Sequence, residues 1–133
     1  MAAFIELLIG ERVEVLVDVR LRATSGIPGF SGPALLRALG KVGIEYRHAS
    51  VLGNPEHNRA AFRDGPLELG RRAFSRFIAH GPPRVMVEDL AVMAETRRVA
   101  VLCAERDHAR CHRQVIIERA EEINPRVAVT VLA

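Results

Sequence analysis

The most reactive side chains of this 133-residue sequence are concentrated in residues 101–118, which read V-L-C-A-E-R-D-H-A-R-C-H-R-Q-V-I-I-E. Both cysteines, two of the five histidines and three arginines lie in this stretch. Thiol, imidazole and carboxylate groups act as nucleophiles, acids, bases and metal ligands, while arginines bind anions. Their concentration between an apolar run and a helical segment indicates a functional site.

Cys111 lies at the predicted start of a helix that runs from about His112 to Glu122. The first turn of a helix has free N–H groups and a partial positive charge, which favour a phosphate or a thiolate. We therefore predict that Cys111 is the reactive thiol and that an anion binds beside Arg113. Cys103 ends an apolar run and is predicted to be a buried, inert thiol.

The elements that must position these residues alternate between strands and helices. Apolar, β-branched runs predict buried strands at 13–19 and 98–104. Further strands are predicted at 44–48 and 127–132, and helices at 3–10, 32–42, 67–81, 87–94 and 112–122. Residues 49–65 are predicted to be irregular apart from one turn of helix after Pro55, and Pro82-Pro83 to break the chain. The alternation predicts one α/β domain over 1–133, a three-layer sandwich with a mostly parallel sheet and helices on both faces.

Polar side chains follow the two most apolar strands, which we place at the centre of the sheet. Ligands of open parallel sheets bind beyond the carboxyl ends of the strands. Asp18 and Arg20 end the first strand, and Glu105 follows the second. We therefore predict that these groups meet at one edge, with Asp18 or Glu105 as a catalytic base, His112 as an acid, and Arg20 and Arg113 as substrate-binding residues.

Metal and redox templates match this stretch poorly. The spacing C-x7-C-H differs from the closely spaced cysteine pairs of structural zinc sites. The absence of C-x-x-C disfavours a redox pair of Cys103 and Cys111. A catalytic metal held by Asp18, Glu105 and His112 is an alternative. We assign no metal ligand, and the cofactor stays unknown.

Several short motifs together resemble the DUF488 family of uncharacterised bacterial and archaeal proteins. They are L-V-D-V-R at 16–20, S-G-I-P-G-F at 25–30, G-I-E-Y at 43–46, L-G-N-P-E-H-N-R at 52–59 and C-A-E-R-D-H-A-R-C-H-R at 103–113. The resemblance implies an α/β fold and no established reaction. It implies a site built from Asp18, Arg20, Cys103, Glu105, Cys111, His112 and Arg113. We add Asn54 of the fourth motif as a substrate-binding residue.

The resemblance also bears on the first strand of the sheet. Members of the family commonly begin with a strand that carries T-I-G-H-S before the first helix. The present sequence begins at that helix, with Phe4-Ile5. We therefore expect a DUF488-like domain that lacks the usual N-terminal strand.

Composition restricts the class of protein. Hydrophobic residues make up 49% and charged residues 26%, which is typical of a soluble globular domain. The sequence contains no recognisable signal peptide and no apolar run of membrane-spanning length. We therefore expect a cytoplasmic protein with free thiols and no membrane partner. The net charge of +3 comes almost entirely from arginine, because Lys41 is the single lysine among 19 basic residues.

Three functions stay open at this stage. The first is an enzyme or ligand-binding protein that acts on an anionic small molecule, phosphorylated or nucleotide-like, at the strand ends. The second is nucleic-acid binding through surface arginines, namely Arg59, Arg63, Arg71, Arg72 and Arg76. The third is a non-catalytic regulatory or partner-binding module. The oligomeric state is open, a homodimer included.

Overall fold

The computed structural model describes residues 1–63, 65–103 and 111–128. Its sheet contains three parallel strands, β1 (Val15–Asp18), β2 (Glu45–His48) and β3 (Val99–Leu102), in the order β2-β1-β3. The helices are α1 (Ala2–Gly10), α2 (Gly32–Gly40), α3 (Glu56–Arg63), α4 (Leu67–Phe77), α5 (Gly81–Thr96) and α6 (Arg113–Ile123), with a 3-10 turn at Ser50–Leu52. The predicted α/β fold, with helices around a parallel sheet, is confirmed.

The central strand β1 contributes to both hydrophobic cores, because successive side chains of a strand point to opposite faces. Val15, Val17 and Val19 pack in the larger core, which α3, α4, α5 and α6 cover. Leu16 packs on the other face in a smaller core with Leu8 of α1 and with residues of α2. Helices therefore lie on both faces of the sheet, as predicted.

The strand register brings Asp18 and Cys103 to the same edge of the sheet. Asp18 at the end of β1 lies opposite His48 of β2 and Leu102 of β3. Cys103 directly follows Leu102, so it lies beside the end of β1. The two segments that we placed at the centre, 13–19 and 98–104, contain the neighbouring strands β1 and β3. Only β1 is central among the described strands, since β3 pairs with β1 alone there.

Helix α2 begins as predicted, but two other segments differ from the prediction. Ser31 caps α2, and its Oγ accepts a hydrogen bond of 3.3 Å from the Ala34 backbone N–H. Residues 49–65 contain the helix expected after Pro55, but this helix, α3, has two turns rather than one, and a 3-10 turn precedes it. Pro82-Pro83 do not break the chain but lie in the first turn of α5, where a missing N–H leaves no intrahelical hydrogen bond unmade.

Only the first two residues of the strand predicted at 127–132 can be compared with the structure. Residues 127–128 are not part of a strand, and residues 129–133 lie outside the described residues.

Across the described ranges, none of the helices combines the length and the apolar character needed to cross a membrane.

Gly53 allows the loop after the 3-10 turn to pack closely against the segment that follows β1. A Cβ atom on Gly53 would lie 2.4 Å from the Cα atom and 2.7 Å from the backbone nitrogen of Leu21. A residue with a side chain could not approach so closely without a backbone shift. The contact therefore holds the loop around Gly53 against the carboxyl end of the central strand.

We expect the substitution Gly53→Ala to destabilise the protein by about 1–3 kcal/mol, because the new methyl group would overlap the Leu21 backbone. Urea unfolding followed by circular dichroism measures this change. Gly40→Ala is the matched control, since a Cβ there would meet no atom within 4 Å. Equal free energies of unfolding for the two variants would contradict the close packing.

Candidate functional site

A buried ion pair follows the end of β1. Asp18 is 0% exposed and Arg20 is 5% exposed. The Arg20 guanidinium donates from Nε to Asp18 Oδ1 at 2.8 Å and from Nη2 to Oδ2 at 2.6 Å. The Arg20 backbone N–H also donates to Oδ1, and the Tyr46 hydroxyl donates to Oδ2 at 2.6 Å. The carboxylate is therefore surrounded by donors.

These contacts decide the ionisation of the group. Burial on its own would raise the pKa of Asp18, but the hydrogen bonds from Arg20 and Tyr46 and the charge of Arg20 hold that pKa below its ordinary value of 3.8. Burial, together with its bond to the carboxylate, raises the pKa of Tyr46 far above 10.0. Asp18 is therefore charged and Tyr46 neutral near neutral pH.

The remaining donor of Arg20 organises the loop after β1. Its Nη1 atom donates to the carbonyl oxygens of Thr24 at 3.3 Å and Phe30 at 2.7 Å. Every guanidinium nitrogen of Arg20 thus bonds to Asp18 or to the loop backbone. This geometry fits a role in holding the backbone, whereas the predicted roles of Asp18 as a base and Arg20 as a substrate ligand stay predictions.

His112 is the polar group on which several segments converge. Its Nε2 atom lies 2.9 Å from the carbonyl oxygen of Val19. A carbonyl oxygen only accepts, so this contact requires the hydrogen on Nε2, and in that neutral tautomer Nδ1 carries the lone pair. Nδ1 lies 3.7 Å from the Cys111 sulfur, and the ring packs edge-on against Phe74 with 5.1 Å between centroids.

The surroundings of His112 favour the neutral imidazole. Burial lowers its pKa below 6.5, and the positive charges of Arg59 and Arg113 lower it further. Hydrogen bonding to the backbone at Val19 and Leu52 acts in the opposite direction without reversing the shift. His112 therefore faces the cysteine sulfur as an uncharged base.

The two cysteines are bonded to each other. Cys103 Sγ and Cys111 Sγ are joined in a disulfide, and the Cα atoms of the two residues are 7.3 Å apart. The Arg113 backbone N–H donates to Cys111 Sγ at 3.3 Å. The prediction of free thiols is therefore wrong in this structure, because the two cysteines pair without a C-x-x-C spacing. The end of β3 and the start of α6 meet in space, although eight positions separate the cysteines.

The structure reverses the order of burial that we expected for the two cysteines. Cys103 is buried as predicted, but it is 7% exposed, whereas Cys111 is only 1% exposed. Cys111 packs in the larger core together with residues of α4, α5 and α6. The charged neighbours in the sequence predicted an accessible sulfur, but the side chain of Cys111 points to the interior.

The other predicted site residues have different outcomes. Asn54 is 5% exposed, and its Oδ1 atom accepts a hydrogen bond of 3.1 Å from Asn58, which also donates to the Gly70 carbonyl. Asn54 therefore connects its loop to α3 and α4, and its role in substrate binding stays a prediction. Glu105 lies outside the described residues, so its predicted convergence with Asp18 also stays a prediction.

Sequence reasoning missed two aromatic residues and one backbone atom of the site. Tyr46 belongs to the motif G-I-E-Y, and Phe74 lies in the helix predicted at 67–81, but neither was predicted to contact the site. Tyr46, the only tyrosine of the chain, could have been noticed because a hydroxyl in a strand beside Asp18 needs a polar partner. The Val19 carbonyl had no signal in the sequence.

A cavity of about 490 Å³ lies along β3 and reaches Arg113 at the start of α6. Its described lining is apolar apart from Glu11 and several arginines, and it includes neither the two cysteines nor His112. Arg97 in the lining bonds to Glu45, and Arg98 to the Glu11 carbonyl. The cavity therefore lies next to the cysteine cluster, which consists of Cys103, Cys111 and His112, but these three residues do not line it.

The fold and the site together define a class: small parallel α/β proteins with a buried Asp–Arg pair and a cysteine–histidine cluster at the strand ends. The chain belongs to the family described as "Domain of unknown function DUF488", which matches residues 1–120. The predicted family is therefore confirmed, and its description names no activity. Comparison with curated proteins and with solved structures gave no match.

We expect Asp18→Asn to destabilise the protein by about 3–5 kcal/mol near neutral pH, because the Arg20 guanidinium would lose its buried counter-charge. Chemical unfolding measures the change. Glu45→Gln is the control, since Glu45 pairs with Arg47 on the surface, where ion pairs contribute little. A loss for Asp18→Asn as small as for Glu45→Gln would show that the pair does not hold the fold.

The lowered pKa of Asp18 also implies a pH dependence. The unfolded chain binds a proton at this position more readily, so the ion pair contributes fully above about pH 4. Its contribution is lost as the pH falls from there through the lower folded pKa. We expect the stability difference between wild type and Asp18→Asn to shrink over that acid range. A difference that stays constant from neutral pH to acid would contradict the charged pair.

Proposed function

We propose that this protein is an enzyme that carries out thiol–disulfide exchange with an anionic small molecule at the carboxyl ends of β1 and β3. The observation that carries the proposal is the bonded pair of Cys103 and Cys111 beside the neutral ring of His112. A base and a helix N-terminus beside a cysteine favour its thiolate, which is the reactive form.

The electrostatics of the cluster support both parts of the proposal. The Arg113 N–H points at Cys111 Sγ, which favours a thiolate there once the disulfide is reduced. Arg59 and Arg113 lower the pKa of His112 through their charges, so these two side chains contribute positive potential at the cluster. The same positive potential attracts a negatively charged ligand.

The exchange balances without a cofactor. The Cys111 thiolate attacks one sulfur of a small-molecule disulfide, forms a mixed disulfide and releases the first thiol. The Cys103 thiolate then attacks Cys111 Sγ and releases the second thiol. Two electrons pass from the protein to the substrate, and the two protons end on the released thiols. Reduction of the protein by an anionic thiol follows the same steps in reverse.

Cys111 is assigned as the attacking residue because the thiolate, and not the thiol, is the nucleophile. In reduced Cys103→Ser, the mixed disulfide with the substrate should therefore accumulate on Cys111. In reduced Cys111→Ser, the remaining thiol of Cys103 should react more slowly. Peptide mapping after a timed quench with acid separates the two cases, and faster trapping on Cys103 would reverse the assignment.

Nucleic-acid binding receives less support from the surface arginines. Arg71 donates to Gln114 at 2.5 Å and to Glu118 at 2.9 Å. Arg72 pairs with Glu68 one turn away. Phosphate contacts by these two residues would compete with existing acidic partners. No described contact favours the non-catalytic module, so thiol exchange is the function that we carry forward.

We expect the reduced protein to react faster with an anionic disulfide than with a cationic one. The probes are glutathione disulfide, which is anionic, hydroxyethyl disulfide, which is neutral, and cystamine, which is cationic. Rates are normalised to those of a short cysteine peptide. A preference of at least about tenfold for glutathione disulfide over cystamine is expected at low salt. The readout is the mass of protein alkylated at timed intervals.

Charge variants test the source of that preference. Arg113→Gln should reduce it and Arg113→Lys should retain it, because only the first removes the charge. Arg84→Gln is the control, since Arg84 pairs with Glu88 on the surface of α5. Equal normalised rates for the three disulfides would overturn the anionic substrate. Oxidation without an intramolecular disulfide would overturn the exchange mechanism.

A further inference from the structure

Three buried side chains place soft-metal donor atoms close together. The ligand atoms of Cys103, Cys111 and His112 all lie within 4.8 Å of one another. Two sulfurs and one imidazole nitrogen are the donors that Zn²⁺ takes in sites with three protein ligands. The lack of a usual zinc spacing in the sequence had argued against a metal here, but spacing along the chain does not measure distance in the fold.

The orientation of His112 matches that of a metal-binding histidine. Such a residue usually donates its second ring N–H to a carbonyl or carboxylate, which fixes the ring and the tautomer. The Nε2 atom of His112 bonds to the Val19 carbonyl at 2.9 Å, which leaves the Nδ1 lone pair facing the cysteines. Nδ1 lies 3.7 Å from Cys111 Sγ. A tetrahedral zinc ion would separate a sulfur and a nitrogen ligand by about 3.6 Å, given the usual bond lengths.

The backbone spacing of the cysteines also suits an ion. The 7.3 Å between their Cα atoms is wider than the separation of about 4.4–6.8 Å that is usual for disulfides. After reduction, the two sulfurs need to move apart to about 3.8 Å to bind one tetrahedral zinc ion. The Cα separation of 7.3 Å is therefore compatible with two sulfurs that have moved apart around a metal.

We propose that the reduced protein binds one zinc ion through Cys103 Sγ, Cys111 Sγ and His112 Nδ1, with a fourth position for another ligand. Zinc binding and the disulfide exclude each other, because both use the same two sulfurs. The ion would therefore withdraw the thiols from exchange until it is removed. The inference rests on the proposed function only in requiring that the disulfide can be reduced.

Cobalt(II) is a suitable spectroscopic probe, since it takes the same ligands with similar geometry. We expect the reduced protein to bind one cobalt ion, with a thiolate-to-metal charge-transfer band and the visible bands of a tetrahedral site. Zinc should displace the cobalt and bleach these bands. The oxidised wild-type protein should show none of them, and this comparison needs no mutation.

Variants identify the ligands. Loss of a residue that only hydrogen-bonds to a metal ligand weakens metal affinity about 10–100-fold. We expect a larger loss of cobalt affinity for each of the variants Cys103→Ser, Cys111→Ser and His112→Gln. His48→Gln is the matched control. The Nε2 atom of His48 also bonds to a carbonyl oxygen, that of Arg20 at 2.8 Å, but His48 is not one of the three proposed ligands. Circular dichroism confirms the fold of each variant before titration.

The outcomes separate this inference from the proposed function. No cobalt bands in the reduced, folded wild type, or bands that survive His112→Gln, would overturn the metal site even if thiol exchange is observed. Bands that depend on all three residues, in a protein that forms no intramolecular disulfide with any oxidant, would support the metal site and overturn the exchange proposal.

Discussion

The buried ion pair between Asp18 and Arg20 is the interaction on which the site depends. It fixes the segment that follows β1, because the guanidinium bonds both to the carboxylate and to the loop carbonyls of Thr24 and Phe30. The carbonyl groups of this segment then hold two histidines from distant parts of the chain. The Val19 carbonyl bonds to His112 and the Arg20 carbonyl bonds to His48. An interaction that looks local in sequence therefore orients groups far along the chain.

The chemistry of the cysteine cluster follows from that orientation. With Nε2 of His112 bonded to Val19, the Nδ1 lone pair is directed at the sulfur of Cys111. The first turn of α6 adds an N–H to the same sulfur. A reduced sulfur in this place has a base, a backbone donor and nearby positive charge. The proposed thiol exchange and the proposed zinc binding would use the same two sulfurs, so a bound zinc ion would block the exchange.

Much of the fold could be predicted from the sequence because its signals are local. The β-branched run at 13–19 predicts a buried strand, and Ser31 with Pro33 predicts the start of α2. The parallel arrangement follows from alternating strands and helices. The prolines at the start of α5 were misread, since the same residues can end one element or begin another, and the sequence alone does not say which.

The site was less predictable because its contacts join distant segments. Asp18 and His112 were chosen as catalytic groups, but their partners are Arg20, Tyr46 and the Val19 carbonyl. The cysteines pair because the end of β3 meets the start of α6. The number of residues between two cysteines does not predict such a contact. Every residue has a backbone carbonyl, so a sequence motif cannot indicate which carbonyl orients a histidine.

The central claim is that the fold brings Cys103 and Cys111 together at the strand ends. Its most direct test equilibrates the native, reduced protein with glutathione redox buffers, alkylates the remaining thiols and measures intact mass. The account predicts one transition, in which the monomer loses both thiol hydrogens and gains no glutathione. Glutathione bound separately at both cysteines, with no intramolecular disulfide at any buffer ratio, would contradict it.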